Sequence, residues 1–234
     1  MNIIVTGAGR GIGNAIVRKF AEAKEHHIVA VSRDVEALER LRSVCLEKNP
    51  DANIYPVSFD LTQPDYSFGL LPKILEHIFH VDVLINNAGY LVKKAFFDLT
   101  DEDFDNTFTV NVKTVFKLSR TLLPSFSEGS HIVNVGSMGG IQGSAKFPGL
   151  SLYSAAKGAV AVLTEAMAEE LKERNISVNC LAFGAVQTEM FQQAFPGYTA
   201  PLTPEKLAEF ITDFALNGNR FFNGKVLPVS VSTP

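Results

Sequence analysis

Apolar and polar positions follow one another along this chain in two rhythms. Short, nearly unbroken apolar runs rich in Val and Ile recur at 2–6, 27–31, 53–57, 82–85, 131–135, 176–181 and 225–229. Runs of that length suit strands covered on both faces. Between them, apolar residues return every three or four positions, which predicts helices over 11–24, 34–48, 65–79, 101–122, 152–173 and 204–216. Strict alternation of strand and helix implies right-handed crossovers and a parallel sheet, a doubly wound three-layer α/β sandwich. No repeat or linker divides the chain, so a single domain over 1–234 is expected. The stretches 136–151 and 189–203 carry neither rhythm and read as two long loops. Both leave carboxyl ends of strands, where ligands bind in such sheets.

Composition changes this picture little. A chain of 234 residues with 46% hydrophobic and 20% charged residues suits one soluble domain with a substantial core. The net charge of −4 gives no reason to expect nucleic acid or an anionic membrane as partner. No apolar run approaches the ~20 residues of a spanning helix. The first predicted strand starts at residue 2, leaving no room for a leader, so the expected location is cytoplasmic. Cys45 and Cys180 fall in a helix and a strand without metal-ligand spacing, and are expected to be reduced core thiols; no metal site is expected.

The candidate chemistry begins at the first strand–helix junction. Asn2-Ile3-Ile4-Val5-Thr6 leads into Gly7-Ala8-Gly9-Arg10-Gly11-Ile12-Gly13 and then a helical pattern. Strand, glycine-rich turn and helix make a pyrophosphate site, because the glycines admit close backbone approach and the helix N-terminus supplies N–H groups. The spacing is G-x-x-x-G-x-G rather than G-x-G-x-x-G. A second signal is Tyr153 with Lys157, four apart in a predicted helix and therefore on one face. A phenol has an ordinary pKa of ~10, and an ammonium one turn away is expected to lower it toward neutral.

With Asn86-Asn87-Ala88-Gly89, Asn111 and Ser137, these motifs stand in an order that resembles the short-chain dehydrogenase/reductases of the single-domain type. The resemblance runs from Met1 to about Thr188. It implies an oxidoreductase that moves a hydride between a nicotinamide cofactor and a carbonyl or secondary alcohol. Tyr153 is then the proton donor or acceptor, and Ser137 binds the substrate oxygen. Lys157 lowers the Tyr153 pKa and binds the nicotinamide ribose, and Asn111 holds a helix distortion and links Lys157 to solvent. Ser144 and Ser151 are the substitutes if Ser137 is displaced, since the gap from Ser137 to Tyr153 exceeds the family's by a few residues. Asn87, Ala88 and Gly89 lie beside the adenosine ribose. Asp60, with Leu61, touches the adenine or, alternatively, caps a turn. Gly184, Val186 and Thr188 surround the carboxamide; Phe183 stands where the family has Pro, which predicts a less rigid loop.

Cofactor choice is expected at the end of the second strand. NAD-preferring relatives carry an acid where Ser32 stands; here Arg33 follows directly, with Arg10 as a second cation. A hydroxyl and two guanidiniums describe a 2′-phosphate pocket, so NADP(H) is expected over NAD(H). Asp34 reads as the N-cap of the next helix; the alternative is that it faces the ribose. The segment Glu189 to Pro201 is expected to cover a small-molecule carbonyl or alcohol, and Met190, Phe191, Phe195 and Tyr198 favour an apolar or aromatic one, with Phe96, Phe97 and Phe147 as further candidates. Small residues at Ala155, Ala156, Gly158, Ala159 and Ala161 spread around helix 152–173, and with the family's use of this helix and 101–122 they predict a homodimer or homotetramer. Two other readings fit the sequence less well. A cofactor-bound regulatory or scaffold protein would typically lose Tyr or Lys, and an extended nucleotide-sugar enzyme would need more than the 46 residues that follow Thr188.

Overall fold

The computed structural model describes residues 1–231. Within them, seven strands form one parallel sheet in the order β3-β2-β1-β4-β5-β6-β7. The strands are β1 (Asn2–Thr6), β2 (His27–Ser32), β3 (Asn53–Ser58), β4 (Val81–Asn86), β5 (Phe126–Ser137), β6 (Ser177–Phe183) and β7 (Val226–Val229). The helices between them are α1 (Gly11–Phe20), α2 (Val35–Lys48), α3 (Tyr66–Gly69), α4 (Leu71–Leu75), α5 (Asp101–Phe108), α6 (Thr114–Leu122), α7 (Ser151–Glu170), α8 (Glu189–Ala194) and α9 (Pro204–Asn217). This is the expected Rossmann-like, doubly wound α/β sandwich.

The strand pleat explains the continuous apolar runs. Ile3, Val5, Ile28, Ala30, Val83, Ile85, Val133 and Val135 face one core, packed with Ile16 of α1, Leu38 of α2 and Ile211 of α9. Their alternates Ile4, Val29, Val31, Leu84 and Ile132 face the other, packed with Ile74 of α4, Leu118 of α6 and Ala168 of α7. With both faces dry, alternation in hydrophobicity disappears. Both cysteines are buried and free, and burial pushes each thiol up to about 11.

The boundaries depart from the sequence expectation in physical ways. The helix expected over 65–79 is two short ones, because Pro72 lacks an N–H and is accommodated in the first turn of α4. The helix expected over 101–122 is divided by a π turn, Thr109–Lys113, between α5 and α6, at the place where Asn111 is expected to hold a distortion. β6 continues to Phe183, two residues past the expected end, and pairs there with Ser137 and Val229. Phenylalanine keeps the N–H that proline would lack, so the ladder extends, and Phe183 is buried in the first core instead of opening a loose loop. The expected loop 189–203 contains α8, capped by Thr188, whose Oγ1 accepts from Phe191 N at 3.1 Å.

Candidate active site

Because the strand order reverses between β1 and β4, their carboxyl ends flank a crevice. Thr6 stitches it together. Its Oγ1 accepts from Asn87 N and Ala88 N, both at 3.0 Å, and Asn87 Nδ2 donates to Thr6 O at 2.9 Å. The glycine turn lies directly against this stitch. A Cβ on Gly13 would stand 2.3 Å from Gly7 O and 2.5 Å from Asn87 Nδ2, so only glycine lets α1 start this close to the sheet. The N–H groups of Gly11, Ile12 and Gly13 open α1 at that point. Gly9 faces Ser32: a Cβ there would lie 2.9 Å from Ser32 Oγ. Gly11 faces the other way, its Cβ position being 3.6 Å from the Thr188 methyl. A narrow backbone cradle with helical N–H donors and few acids fits a dinucleotide pyrophosphate.

Along one side stand Ser32 and Arg33. Arg33 is exposed and makes no ion pair among the described residues. Asp34 is turned away as the N-cap of α2, its Oδ1 accepting from Ala37 N at 2.9 Å. Asp60 Oδ1 accepts from both Thr62 N and Thr62 Oγ1 at 2.9 Å, so this carboxylate caps a turn, with Leu61 packed beneath it. Arg10 does not join Arg33 in this structure; Nη1 lies 3.0 Å from Glu189 Oε2 on the opposite side of the cleft. Gly184 N donates to Val229 O at 3.0 Å, and Val186 is buried and bridged to Leu202 at the base of the covering segment.

The reactive side chains converge at the end of β5. Ser137 closes that strand, accepts from Gly139 N at 3.2 Å and lies close enough to the Tyr153 phenol to lower its pKa. Gly140 holds α7 in place: a Cβ there would stand 2.6 Å from the Lys157 carbonyl carbon. The close approach also explains a small residue at Gly158, which needs no partner subunit to account for it. Ser144 is committed to the carbonyls of Met138 and Ile141, and Ser151 is exposed at the start of α7; Ser137 is the serine that reaches the phenol. Lys157 is 4% exposed. Its Nζ donates to Val135 O at 2.8 Å and lies 5.7 Å from the centre of the Tyr153 ring.

Burial dominates both ionisations. It pushes the Tyr153 phenol up to about 12, with the Ser137 hydroxyl pulling the other way. It lowers the Lys157 ammonium to about 8. The expectation that lysine would draw the phenol down is therefore not met in this arrangement, where the ammonium is turned to a carbonyl. Asn111 is fully buried in the π turn. Its Nδ2 donates to Tyr90 O at 2.7 Å and Thr107 O at 2.9 Å, and its Oδ1 accepts from Tyr90 N at 3.3 Å. The Asn111 amide thus ties the distorted turn both to the Thr107 carbonyl of α5 and to Tyr90. Gly89 sits between Asn111 and Lys157, its Cβ position being 3.3 Å from Asn111 Oδ1 and 3.8 Å from Lys157 Nζ.

Aromatic side chains of the segment expected to cover the site pack on one another. Phe147 meets Phe195 edge to face at 5.7 Å, Phe191 lies 5.2 Å from Phe195, and Lys93 Nζ stands 4.4 Å over the Phe195 ring while donating to Ala194 O at 2.6 Å. Gln187 Oε1 accepts from Ala200 N at 2.6 Å and closes the base of the segment. Thr6, Lys93, Gln187 and Glu189 were not singled out from the sequence; a Thr ending an otherwise apolar strand was the one available signal. Phe96 and Phe97 are exposed and take no part in this packing.

Residues 1–199 match the family described as short chain dehydrogenase. Carbonyl reductase [NADPH] 2 of Sus scrofa is 37% identical over 194 residues, covering 81% of this chain and 73% of that protein. Among solved structures, a short chain dehydrogenase from Burkholderia cenocepacia in complex with NADP superposes with a TM-score of 0.86 at 25% identity, covering 99% of this chain and 96% of that one. A 3-ketoacyl-(acyl-carrier-protein) reductase from Brucella melitensis complexed with NADH gives a TM-score of 0.84 at 28% identity, over 98% and 96% of the two chains.

Proposed function

The chain belongs to the short-chain dehydrogenase family, and from that premise we propose that it is an NADP(H)-dependent reductase of ketones or aldehydes, able to oxidise the matching alcohols, with Tyr153 as the group that moves the proton. The observation that carries this reading is the convergence of Ser137, Tyr153 and Lys157 at the carboxyl end of β5, with Lys157 Nζ 5.7 Å from the centre of the Tyr153 ring. A bound nicotinamide supplies or accepts the hydride.

The residues assigned to hold the cofactor are Gly7, Gly11, Ile12 and Gly13 for the pyrophosphate and Ser32 with Arg33 for the 2′-phosphate. Leu61 and Asp60 flank the adenine; Asn87, Ala88 and Gly89 flank its ribose. Lys157 takes the second ribose, and Gly184, Val186 and Thr188 the carboxamide. Arg33, exposed beside Ser32 and, among the described residues, without an ion-pair partner, supports NADP(H), as does Asp34 being held as the N-cap of α2.

Ser137 donates to the substrate carbonyl oxygen and fixes it next to the phenol. A phenol held near 12 stays protonated at neutral pH, so Tyr153 is ready to donate as negative charge develops on that oxygen. Lys157, still mostly protonated at pH 7, stabilises the phenolate left behind. Asn111 is a positioning residue: it pins the π turn to Tyr90 and so fixes Gly89 beside Lys157. The aromatic wall of Phe147, Phe191 and Phe195 favours an apolar or aromatic carbonyl compound.

The test is a panel of ketones, aldehydes, quinones and acyl-thioester ketones, followed by NADPH oxidation. Steady turnover of at least one apolar carbonyl compound is expected. Tight binding of NADPH without turnover of any class would favour a cofactor-sensing role.

A further inference from the structure

Arg10 occupies the N-cap position of α1, yet its side chain caps nothing. Its two neighbours in the chain face opposite ends of the cofactor cleft, Gly9 toward Ser32 and Gly11 toward Thr188. A guanidinium pivoting on residue 10 can thus serve either end. Here it has taken the Thr188 side and pairs with Glu189, the first residue of α8. The side chains are 65% and 63% exposed, so the pair is weak and exchangeable.

We infer that Glu189 sets the strength of the cofactor preference by competing with the 2′-phosphate for the Arg10 guanidinium. The inference rests on the NADP(H) reading. A phosphate seated by Ser32 and Arg33 presents close to two negative charges on the Gly9 side of the pivot, against one solvated carboxylate on the other. Arg10 follows the larger charge when the phosphate is there and stays with Glu189 when it is not. Each NADP(H) molecule bound must therefore first break the Arg10–Glu189 pair, whereas NAD(H) leaves it intact. Glu189 taxes only the phosphorylated cofactor.

The experiment is a double-mutant cycle of Glu189→Gln and Arg10→Ala, with NADPH and NADH titrated into each substrate-free protein and binding followed by cofactor fluorescence. Removing Glu189 should tighten NADPH about two- to fivefold, the worth of an exposed pair, and leave NADH unchanged. The gain should vanish when Arg10 is already Ala. Equal gains for both cofactors would overturn the inference by assigning Arg10 to the pyrophosphate. A gain that persists without Arg10 would overturn it too, as a through-space charge effect, and so would no gain at all. A wild-type protein that binds NADH more tightly than NADPH would instead remove the NADP(H) reading itself, which the first titration alone shows.

Discussion

The Lys157 ammonium lies 5.7 Å from the centre of the Tyr153 ring but donates to the Val135 carbonyl, not to the phenol. Among the described residues it is a buried cation with no carboxylate partner, held by one neutral acceptor. Burial brings its pKa from 10.5 down to about 8. The folded value lies below the unfolded one, so between about 8 and 10.5 the folded state binds fewer protons. Lys157 therefore opposes folding in full below that window, and the penalty fades as pH rises through it.

Replacing Lys157 by Met should accordingly stabilise the cofactor-free protein at pH 7 while removing most turnover. A gain on the order of 1–3 kcal/mol is expected from a shift of this size. Urea unfolding at pH 7 and pH 10 checks it: the difference between variant and wild type should shrink at the higher pH. A variant less stable than wild type at pH 7 would mean that Lys157 supports the fold and is not strained within it.

Cofactor preference should follow Ser32 and Arg33. NADPH is expected to bind at least tenfold more tightly than NADH, since a charge-assisted phosphate contact contributes ~1.5–3 kcal/mol and each ~1.4 kcal/mol is tenfold. Arg33→Ala should close most of that gap by weakening NADPH, and Ser32→Asp should move preference toward NADH. Calorimetric titration of both cofactors decides it. An unchanged preference in Arg33→Ala would place the phosphate elsewhere.

Acid should weaken the fold through His131. The ring is buried in the middle of β5, with Nδ1 3.0 Å from Ala215 O and Nε2 3.0 Å from Asn179 Nδ2, an arrangement that suits the neutral form. Burial lowers its pKa from 6.5 to about 4. The unfolded state therefore binds the proton first as pH falls, and stability declines between about 6.5 and 4. About 2 kcal/mol should be lost from pH 7 to pH 5 on this account. His131→Asn, less stable overall, should show a flatter slope in denaturant unfolding over that range.

A second copy of the chain is the expected partner. α5 and α7 pack side by side, and Phe104 on α5 and Val162 on α7 are exposed, with Phe97 96% exposed just before α5. Exposed apolar side chains on neighbouring elements suit a symmetric contact. Light scattering should give a dimer or tetramer, and Val162→Arg should shift it toward monomer. A wild-type monomer at micromolar concentration would leave this face uncovered.

The strands were legible because a sheet dry on both faces needs unbroken apolar runs such as Ile3-Ile4-Val5 and Ile132-Val133. Tyr153, Lys157 and Ser137 were legible because helical spacing and a strand end fix their directions without tertiary information. What stayed hidden depends on contacts distant in sequence. Arg10 and Glu189 are 179 residues apart, and neither carries a local mark of the other. The π turn is expected at Asn111 only through the resemblance, because the 101–122 pattern keeps its helical rhythm through it. Phe183 misled in the other direction: read as a lost proline and a looser loop, it lengthens β6 and joins the core.

The central claim is that Tyr153 carries the proton. Tyr153→Phe removes one hydroxyl and keeps the ring, so the fold and NADPH affinity should stay close to wild type. Its turnover of a carbonyl substrate confirmed with the wild-type enzyme should fall by roughly 10²–10⁴-fold or more. Steady-state kcat for NADPH oxidation, measured alongside the NADPH dissociation constant of the same preparation, is the direct test. Loss of kcat with the dissociation constant unchanged is the predicted result. A kcat near that of the wild type, with cofactor bound normally, would contradict the account and assign proton transfer to another group.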